Sequence, residues 1–285
     1  KKQRYNRDLL LKMIDLNISM VDYEVLKDKK EKRLLGFGRY AGIVGAYNSF
    51  LSYGIKTGDY ILKAAYECDN RLEMEKELAN IRLTNEKIIV TGEGRVGKGV
   101  IELLRLAEIK EICESEFISQ TFEEPVFLHL SVMDYNERID GCPSDKQEFY
   151  TNPTLYKSIF MNFAKHADIF IAAHYYGVGS PFLFTREDAK HPEFNLKVIA
   201  DISCDINGPV ASTIRASTIK SPIYGYNPEI EEEDDYMKND VVAVMAVDNL
   251  PCELPKDASE DFGNDLLDTI IPLIVIGDQG NIAPY

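Results

Sequence analysis

The pattern of apolar and polar positions along the chain predicts a parallel β-sheet. Uninterrupted apolar runs are typical of strands that are buried on both faces of such a sheet. The clearest runs cover residues 88–91, 167–173, 198–202 and 241–247. Weaker strand-like stretches lie near 110–113 and at 125–132. Several of the apolar runs end in polar residues, and ligands of open α/β sheets bind at the carboxyl ends of the strands.

Helical periodicity separates these runs. Apolar or charged positions three and four residues apart predict helices over 4–20, 57–80, 96–107 and 258–274. A short strand followed by a glycine-rich helix is expected within 33–48. In that helix Gly42, Gly45 and Ala46 lie three and four residues apart, which gives a smooth face for close packing.

The remaining stretches are less regular. Alternating polarity in 19–26 predicts a short strand. Two prolines among alternating aromatic and polar residues make 214–228 irregular or edge-like, and the acidic run 229–235 predicts an exposed loop. Residues 115–165 depart from a simple strand–helix–strand rhythm and are interpreted as an insertion.

A glycine-rich turn joins the strand at 88–91 to the helix at 96–107. Its sequence, Gly92-Glu-Gly94-Arg-Val-Gly97, matches the G-x-G-x-x-G fingerprint in the strand–turn–helix context that the motif requires. The first glycine allows the tight turn, the second lets a pyrophosphate approach, and the third lets the helix pack on the strand. The free N–H groups of the helix then face the phosphates. A glycine turn in an unrelated α/β protein is the alternative.

The type of dinucleotide follows from the charges after the helix. Glu114 lies at about the spacing, 20 residues past the glycines, of the acid that binds the ribose 2′-hydroxyl. Glu114 and Glu116 together predict NAD, because carboxylates repel the 2′-phosphate of NADP. Arg95, beside the turn, leaves NADP open.

Composition and charge exclude several classes of partner. The chain has 285 residues, enough for two domains, and its net charge of −15 excludes a nucleic-acid surface. No apolar run reaches the roughly 18 residues of a membrane span, so no membrane partner is expected. Five scattered cysteines indicate reduced thiols in a cytoplasmic protein. The four histidines show no ligand spacing, and no metal is predicted.

Five segments, in order along the chain, carry a resemblance to one enzyme family. They are RLLGFGRYAGIVGA (33–46), GEGRVGKGVIELL (92–104), ADIFIAAHYY (167–176), VIADISCDINGP (198–209) and VDNLPCELPKDASEDFGNDLL (247–267). The chain resembles saccharopine dehydrogenase of the NAD-dependent, lysine-forming type and the lysine–ketoglutarate reductase family, within the alanine dehydrogenase and transhydrogenase-like group. The last segment is the most specific, with Leu-Pro twice around an acidic residue and then Ser-Glu-Asp-Phe.

The resemblance implies an α/β fold of two Rossmann-like domains, each a doubly wound parallel sheet, with the active site in the cleft between them. The first domain would be incomplete at its N-terminus. Residues 1–84 are expected to be the remainder of the substrate and catalytic domain. Residues 85–252 would form the NAD-binding domain, with the insertion at about 115–165. Residues 253–285 would form a helical segment that returns to the first domain.

The resemblance also implies site residues. On the substrate side these are Gln3, Arg33, Phe37, Ser203, Cys204 and Asp205. An arginine at position 33 suits a carboxylate, because a guanidinium pairs with both oxygens. On the cofactor side the resemblance adds the following to the glycines and Glu114: Lys32, Arg95, Tyr175, Ile202, Val247, Asp248, Asn249 and Leu250. Glu24 and Asp248 are the candidates for a catalytic role within this chain.

The chain departs from the family in three places. The family's catalytic lysine and histidine would lie upstream of Lys1, so the 285-residue chain is expected to bind a dinucleotide without turning substrate over. The insertion has no counterpart in the fungal-type enzymes. Val96 and Ala173 replace two cysteines that pair near the fungal cofactor site.

The sequence thus predicts an oxidoreductase that uses NAD, with NADP as the open alternative, and acts on the C–N bond of an amino acid. Saccharopine is the first candidate substrate and alanine the second. A dinucleotide-binding module without catalysis is the rival hypothesis. The expected partner is a small amino-acid substrate, and a homo-oligomer is left open.

Overall fold

The computed structural model describes residues 4–29 and 32–276, which group into two compact units. The smaller unit comprises residues up to 36 together with those from 261 onwards, and the larger unit comprises residues 37–260. The glycine-rich helix therefore belongs to the same unit as the sheet. The three-part division at residues 84 and 252 stays a prediction.

An eight-stranded sheet forms the centre of the larger unit. Its strands are β1 (Lys87–Thr91), β2 (Lys110–Glu111), β3 (Val126–Leu130), β6 (Ile169–Ala172), β7 (Val198–Asp201), β8 (Ile223–Asn227), β9 (Glu232–Asp234) and β10 (Val242–Met245). They lie in the order β2-β3-β1-β6-β7-β10-β8-β9, and all pairs are parallel except those that involve β8. Two further strands, β4 (Asn136–Arg138) and β5 (Tyr156–Ser158), pair antiparallel in a separate small sheet. The predicted α/β fold with a mostly parallel sheet is confirmed.

Ten α-helices accompany the strands in the described part of the chain. They are α1 (Arg7–Asp15), α2 (Gly38–Thr57), α3 (Arg71–Glu77), α4 (Arg95–Leu106), α5 (Glu114–Ser119), α6 (Lys146–Thr151), α7 (Met161–Ala164), α8 (Arg186–Ala189), α9 (Pro255–Thr269) and α10 (Ile271–Ile276). None of the described helices is long and apolar enough to cross a membrane.

Alternate residues of the buried strands face two different hydrophobic cores. In β1, Ile88 and Val90 face the core that includes α2 and α4, whereas Ile89 faces the core that includes the inserted segment. The first core depends on very close helix packing. A Cβ on Gly42 of α2 would lie 2.0 Å from the carbonyl oxygen of Val96 in α4. The small face predicted for the glycine-rich helix is therefore a packing face.

Two predicted elements of the N-terminal half are wrong. No strand forms within 19–26; a single 3-10 turn, Tyr23–Val25, begins where the side chain of Asp22 accepts a hydrogen bond from the backbone of Glu24. The helix expected over 57–80 is reduced to α3 and short 3-10 turns. Gly58 ends α2 in the left-handed conformation (φ 76°) that glycine adopts without strain.

Two predictions near the far edge of the sheet are also wrong. Residues 223–227, expected to be irregular or edge-like, form β8, which is buried and lies between β10 and β9. The acidic stretch expected to be a loop contains β9, which pairs with β8 and forms the edge. Charged residues at an exposed edge discourage pairing with another chain, so an acidic strand is well placed there.

In the smaller unit, Leu26, Leu35 and Ile270 form a small buried cluster. Tyr23 packs its ring edge-on against Phe262, with centroids 5.1 Å apart. Of the apolar positions predicted for the first helix, Leu9, Leu10 and Ile14 are exposed in α1.

Candidate functional site

The glycine turn between β1 and α4 has the geometry that its three glycines predict. Gly92 has φ 103°, and a Cβ there would lie 2.3 Å from the carbonyl oxygen of Ala173. A Cβ on Gly97 would lie 1.9 Å from the carbonyl oxygen of Gly92. Both positions therefore need glycine for packing. At Gly94 a Cβ would meet nothing within 4 Å, so this part of the backbone faces open space.

The turn presents the amino end of α4 to that space. Gly94 is the N-cap residue, and no side chain caps the helix there. The first N–H groups of a helix have no partner within the helix, and together with the helix dipole they attract anions. An anion approaching Gly94 would therefore meet unobstructed backbone donors.

A cavity of about 630 Å³ lies over this turn, at the carboxyl ends of four neighbouring strands. The register aligns these ends, since Thr91 of β1 pairs with Leu130 of β3 and with Ala172 of β6. The lining residues are Gly92, Glu93, Gly94, Arg95, Val96, Val132, Tyr135, Lys146, Tyr150, Ala173, His174, Tyr175, Tyr176, Ser203 and Asp205. The cavity thus lies where open α/β sheets bind ligands.

His174, directly after β6, lines the cavity and contains a buried polar atom without a hydrogen-bond partner. Its Nδ1 lies 2.8 Å from Oγ1 of Thr91, whereas Nε2 is buried and has no hydrogen-bond partner in the structure. Burial lowers the pKa of the imidazole to about 4, so the ring is neutral at physiological pH. A buried polar atom without a partner carries a free-energy cost of about 1–3 kcal/mol, which a ligand could remove.

Asp201, the last residue of β7, holds the segment that follows it. One carboxylate oxygen accepts hydrogen bonds from the backbone and hydroxyl of Ser203 and from the backbone of Cys204. The other oxygen accepts from Thr213. Burial raises the pKa of Asp201, while the hydrogen bonds from the hydroxyls of Ser203 and Thr213 and from the backbone of Cys204 oppose the shift. The network fixes Ser203 at the cavity. Asp205, two residues further on, also lines the cavity, and burial raises its pKa as well.

The structure brings six of the predicted site residues together. They are Gly92, Gly94, Arg95, Tyr175, Ser203 and Asp205, all of which line the cavity. Gly97 supports the turn from behind. Tyr175 is 80% exposed, so it stands at the rim rather than within the wall.

Other predicted residues of the larger unit lie away from this cavity. Ile202 and Leu250 instead pack against Gly45 of α2. The thiol of Cys204 donates to the carbonyl oxygen of Ala246, and burial raises its pKa to about 11. Phe37 is the N-cap residue of α2. After β10, Val247 is buried, whereas Asp248 and Asn249 are exposed.

Four predicted residues fall outside the larger unit. Glu24, Lys32 and Arg33 are exposed residues of the smaller unit. Gln3 lies outside the described residues. The roles assigned to all four stay predictions.

Glu114 also lies apart from the cavity lining. It is the exposed first residue of α5, and Glu116 caps the same helix by accepting a hydrogen bond from the backbone of Cys113. The sheet order explains the separation, because β3, not β2, lies beside β1. The end of β3 therefore adjoins the glycine turn, and His129 Nε2 lies 2.8 Å from the carbonyl oxygen of Gly92.

Four cavity residues come from the inserted segment and were not among the predicted site residues: Val132, Tyr135, Lys146 and Tyr150. Lys146 and Tyr150 are four residues apart and lie on one face of α6. That spacing is the one local signal for them. Lys146 forms an ion pair with Glu93 in the glycine turn, and this contact raises the pKa of the lysine.

Comparisons with known proteins support the predicted resemblance. The chain is 28% identical over 304 residues to alpha-aminoadipic semialdehyde synthase of Arabidopsis thaliana, a match that covers 93% of the chain and 28% of the relative. It is 24% identical to the mitochondrial alpha-aminoadipic semialdehyde synthase of Mus musculus, covering 98% of the chain and 34% of the relative. The chain thus spans about a third or less of these relatives.

A shorter relative and a solved structure agree with these matches. Saccharopine dehydrogenase [NAD(+), L-lysine-forming] of Schizosaccharomyces pombe is 25% identical over 288 residues, covering 96% of the chain and 67% of the relative. The structure of an L-alanine dehydrogenase superposes with a TM-score of 0.52 at 15% identity, covering 96% of the chain and 64% of that protein. No protein-family profile matches the chain. The resemblance to this group of dehydrogenases is confirmed.

The residues at the cavity fit a nicotinamide dinucleotide. The open backbone at Gly94 leaves room for a pyrophosphate, which a side chain there would occupy. Arg95 and Lys146 supply positive charge to the same cavity.

Proposed function

We propose that this chain is the nucleotide-binding part of an oxidoreductase that uses a nicotinamide dinucleotide and acts on the C–N bond of an amino acid. The observation that carries the proposal is the glycine turn, whose second glycine alone faces open space while the first and third are packed. The cavity over that turn and the similarity to saccharopine dehydrogenase support it. Saccharopine is the first candidate substrate, and alanine is the second.

The residues of this chain would bind and orient the reactants. Backbone N–H groups at the start of α4 would hold the pyrophosphate, and Tyr175 would stand beside the nicotinamide half. A bound nicotinamide would supply hydride transfer to or from the substrate carbon. Oxidation of the substrate would leave a C=N bond that water cleaves.

Ser203 and Asp205 would contact the amino-acid substrate on the other side of the cavity. Asp201 positions Ser203 directly, and it holds the backbone of Cys204, which precedes Asp205. The raised pKa of Asp205 brings its carboxyl closer to the range in which it exchanges protons with a substrate amine. A raised pKa also means that less charge must be desolvated when substrate covers the carboxyl.

The preference for NAD over NADP remains part of the proposal. It rests on Glu114 and Glu116, which lie at α5 rather than in the cavity lining. Arg95 and Lys146, which do line the cavity, suit a phosphate. Tighter binding of NADPH than of NADH in a titration would contradict the NAD preference.

A dinucleotide-binding module without catalysis is the second candidate function. It is favoured by the chemistry of the cavity lining, where His174 is the one histidine and has a pKa of about 4. A general base works best when its pKa is near the working pH. His174 is therefore a poor base for an amino-acid dehydrogenase.

A substrate panel separates the two functions. The purified chain would be mixed with saccharopine, alanine or other amino acids and with NAD or NADP, and reduced nucleotide would be followed by absorbance. The oxidoreductase proposal predicts that at least one amino acid yields reduced nucleotide. A binding module without catalysis predicts nucleotide binding with no reduced nucleotide from any of them.

A further inference from the structure

The inserted segment supplies one wall of the nucleotide cavity. Helix α6 is fixed to the small sheet by Glu148, which accepts hydrogen bonds from Arg138 and from the hydroxyl of Tyr156. The buried ring of Phe149 packs edge-on against Tyr156, with centroids 5.2 Å apart. These contacts hold one face of α6, and the other face presents Lys146 and Tyr150 to the cavity.

Lys146 connects this wall to the glycine turn. Its Nζ lies 2.5 Å from Oε2 of Glu93, the residue between Gly92 and Gly94. The two side chains are 48% and 45% exposed. Ion pairs with this degree of exposure are weak, since water solvates the separated charges well. The pair can therefore exchange for a stronger partner at little cost.

A phosphate is such a partner. The lysine ammonium is a compact charge on a flexible four-carbon chain, so it can shift between neighbouring anions without moving α6. A phosphate over Gly94 would already meet the backbone donors of α4. The whole pyrophosphate would carry two negative charges, against one on the Glu93 carboxylate, and would lie between the turn and α6.

We infer that Lys146 leaves Glu93 when a dinucleotide binds and pairs with one of its phosphates. The inserted segment thereby closes one side of the nucleotide site, and Glu93 holds the lysine in place while the site is empty. This inference rests on the proposed function. The shared chemistry is a phosphate group, which could be the pyrophosphate of either dinucleotide or the 2′-phosphate of NADP.

The test compares Lys146→Met with a matched control on the same segment. Lys157 of β5 pairs with Glu137 at 2.9 Å, is 57% exposed and lies outside the nucleotide cavity. Dissociation constants for NADH and NADPH would be measured by calorimetry with wild type, Lys146→Met and Lys157→Met. Unfolding curves would verify that all three are folded.

Lys146→Met should weaken binding about tenfold, the effect of one charge-assisted contact, whereas Lys157→Met should leave it unchanged. If Lys146→Met loses affinity for both nucleotides, the lysine contacts the pyrophosphate. If it loses affinity for NADPH alone, the lysine contacts the 2′-phosphate. Equal affinity of the two variants for both nucleotides would overturn the inference. If wild type bound neither nucleotide, the proposed function itself would fail.

A second variant should change the nucleotide affinity in the opposite direction. Glu93→Gln removes the carboxylate that competes for Lys146 and should tighten binding of the same nucleotides. High salt should narrow the difference between wild type and Lys146→Met, because it screens half-exposed charges. Weaker binding by Glu93→Gln would contradict the exchange.

Discussion

Asn48 donates a hydrogen bond to Glu253 over 2.8 Å and so joins helix α2 to the segment that follows β10. Both side chains are buried. Burial raises the pKa of Glu253 to about 7, and the bond from Asn48 opposes the shift only in part. Glu253 is the acidic residue between the two Leu-Pro pairs, so the most specific sequence segment contains a buried titrating group.

This arrangement predicts how stability depends on pH. The pKa of Glu253 is higher in the folded than in the unfolded chain, so the folded state binds more protons between the unfolded value, near 4.5, and about 7. Stability should therefore fall as pH rises through this range, by up to about 1.4 kcal/mol per unit. Above about pH 7 the contribution should level off.

Glu253→Gln tests that prediction. Glutamine keeps the acceptor for Asn48 but does not titrate, so the variant should gain stability over wild type as pH rises from 5 to 8. Taking the difference between the two proteins cancels the contributions of all other groups. A difference in unfolding free energy that does not change with pH would show that Glu253 has no shifted pKa.

Because α2 and α4 are in close contact, adding a methyl group between them should strongly destabilise the protein. In Gly42→Ala the new Cβ would lie 2.0 Å from backbone, so the two helices must separate. We expect a loss of about 1–3 kcal/mol or more in urea unfolding. Gly263→Ala is the control, because a Cβ there meets nothing within 4 Å in a helix and should stabilise by about 0.4–1 kcal/mol. If the two substitutions changed the free energy of unfolding equally, α2 and α4 would not be as closely packed at Gly42 as the structure shows.

Much of the fold follows from the sequence because its strands are buried on both faces. The continuous apolar runs of β1, β6, β7 and β10 identify parallel strands without any tertiary information. The strands near the antiparallel edge of the sheet were harder to predict from the sequence. β8 combines polar and aromatic residues, and it is a strand because β10 and β9 pair with it on either side.

The site likewise has one part that the local sequence predicts and another that depends on the tertiary structure. The glycine turn is a local motif, so its sequence predicts both the turn and the need for glycine at Gly92 and Gly97. Lys146 and Tyr150 reach the cavity only because the inserted segment folds back over β1 and β6. The position of Glu114 depends on the sheet order, which spacing alone does not specify.

The His174–Thr91 pair predicts that stability and binding respond differently to one change. Thr91→Val combined with His174→Phe replaces both partners by apolar groups of similar size. The free energy of unfolding should stay close to wild type or rise, because the unpaired Nε2 is removed. Dinucleotide affinity should fall, since a polar side chain that lines the cavity is replaced by an apolar one. Thermal unfolding and calorimetric titration of the same samples would measure both, and unchanged affinity would exclude a contact at His174.

The most direct test of the central claim is the affinity of Gly94→Val for NADH and NADPH, measured beside wild type. The valine side chain would occupy the open space over the turn, and a Cβ at this position meets no protein atom within 4 Å. If the glycine turn binds a dinucleotide, wild type should bind NADH or NADPH and Gly94→Val should bind neither. The unfolding curve of the variant should stay close to that of wild type. Unchanged affinity in the variant would contradict the account, because the glycine turn would then have no part in binding a dinucleotide.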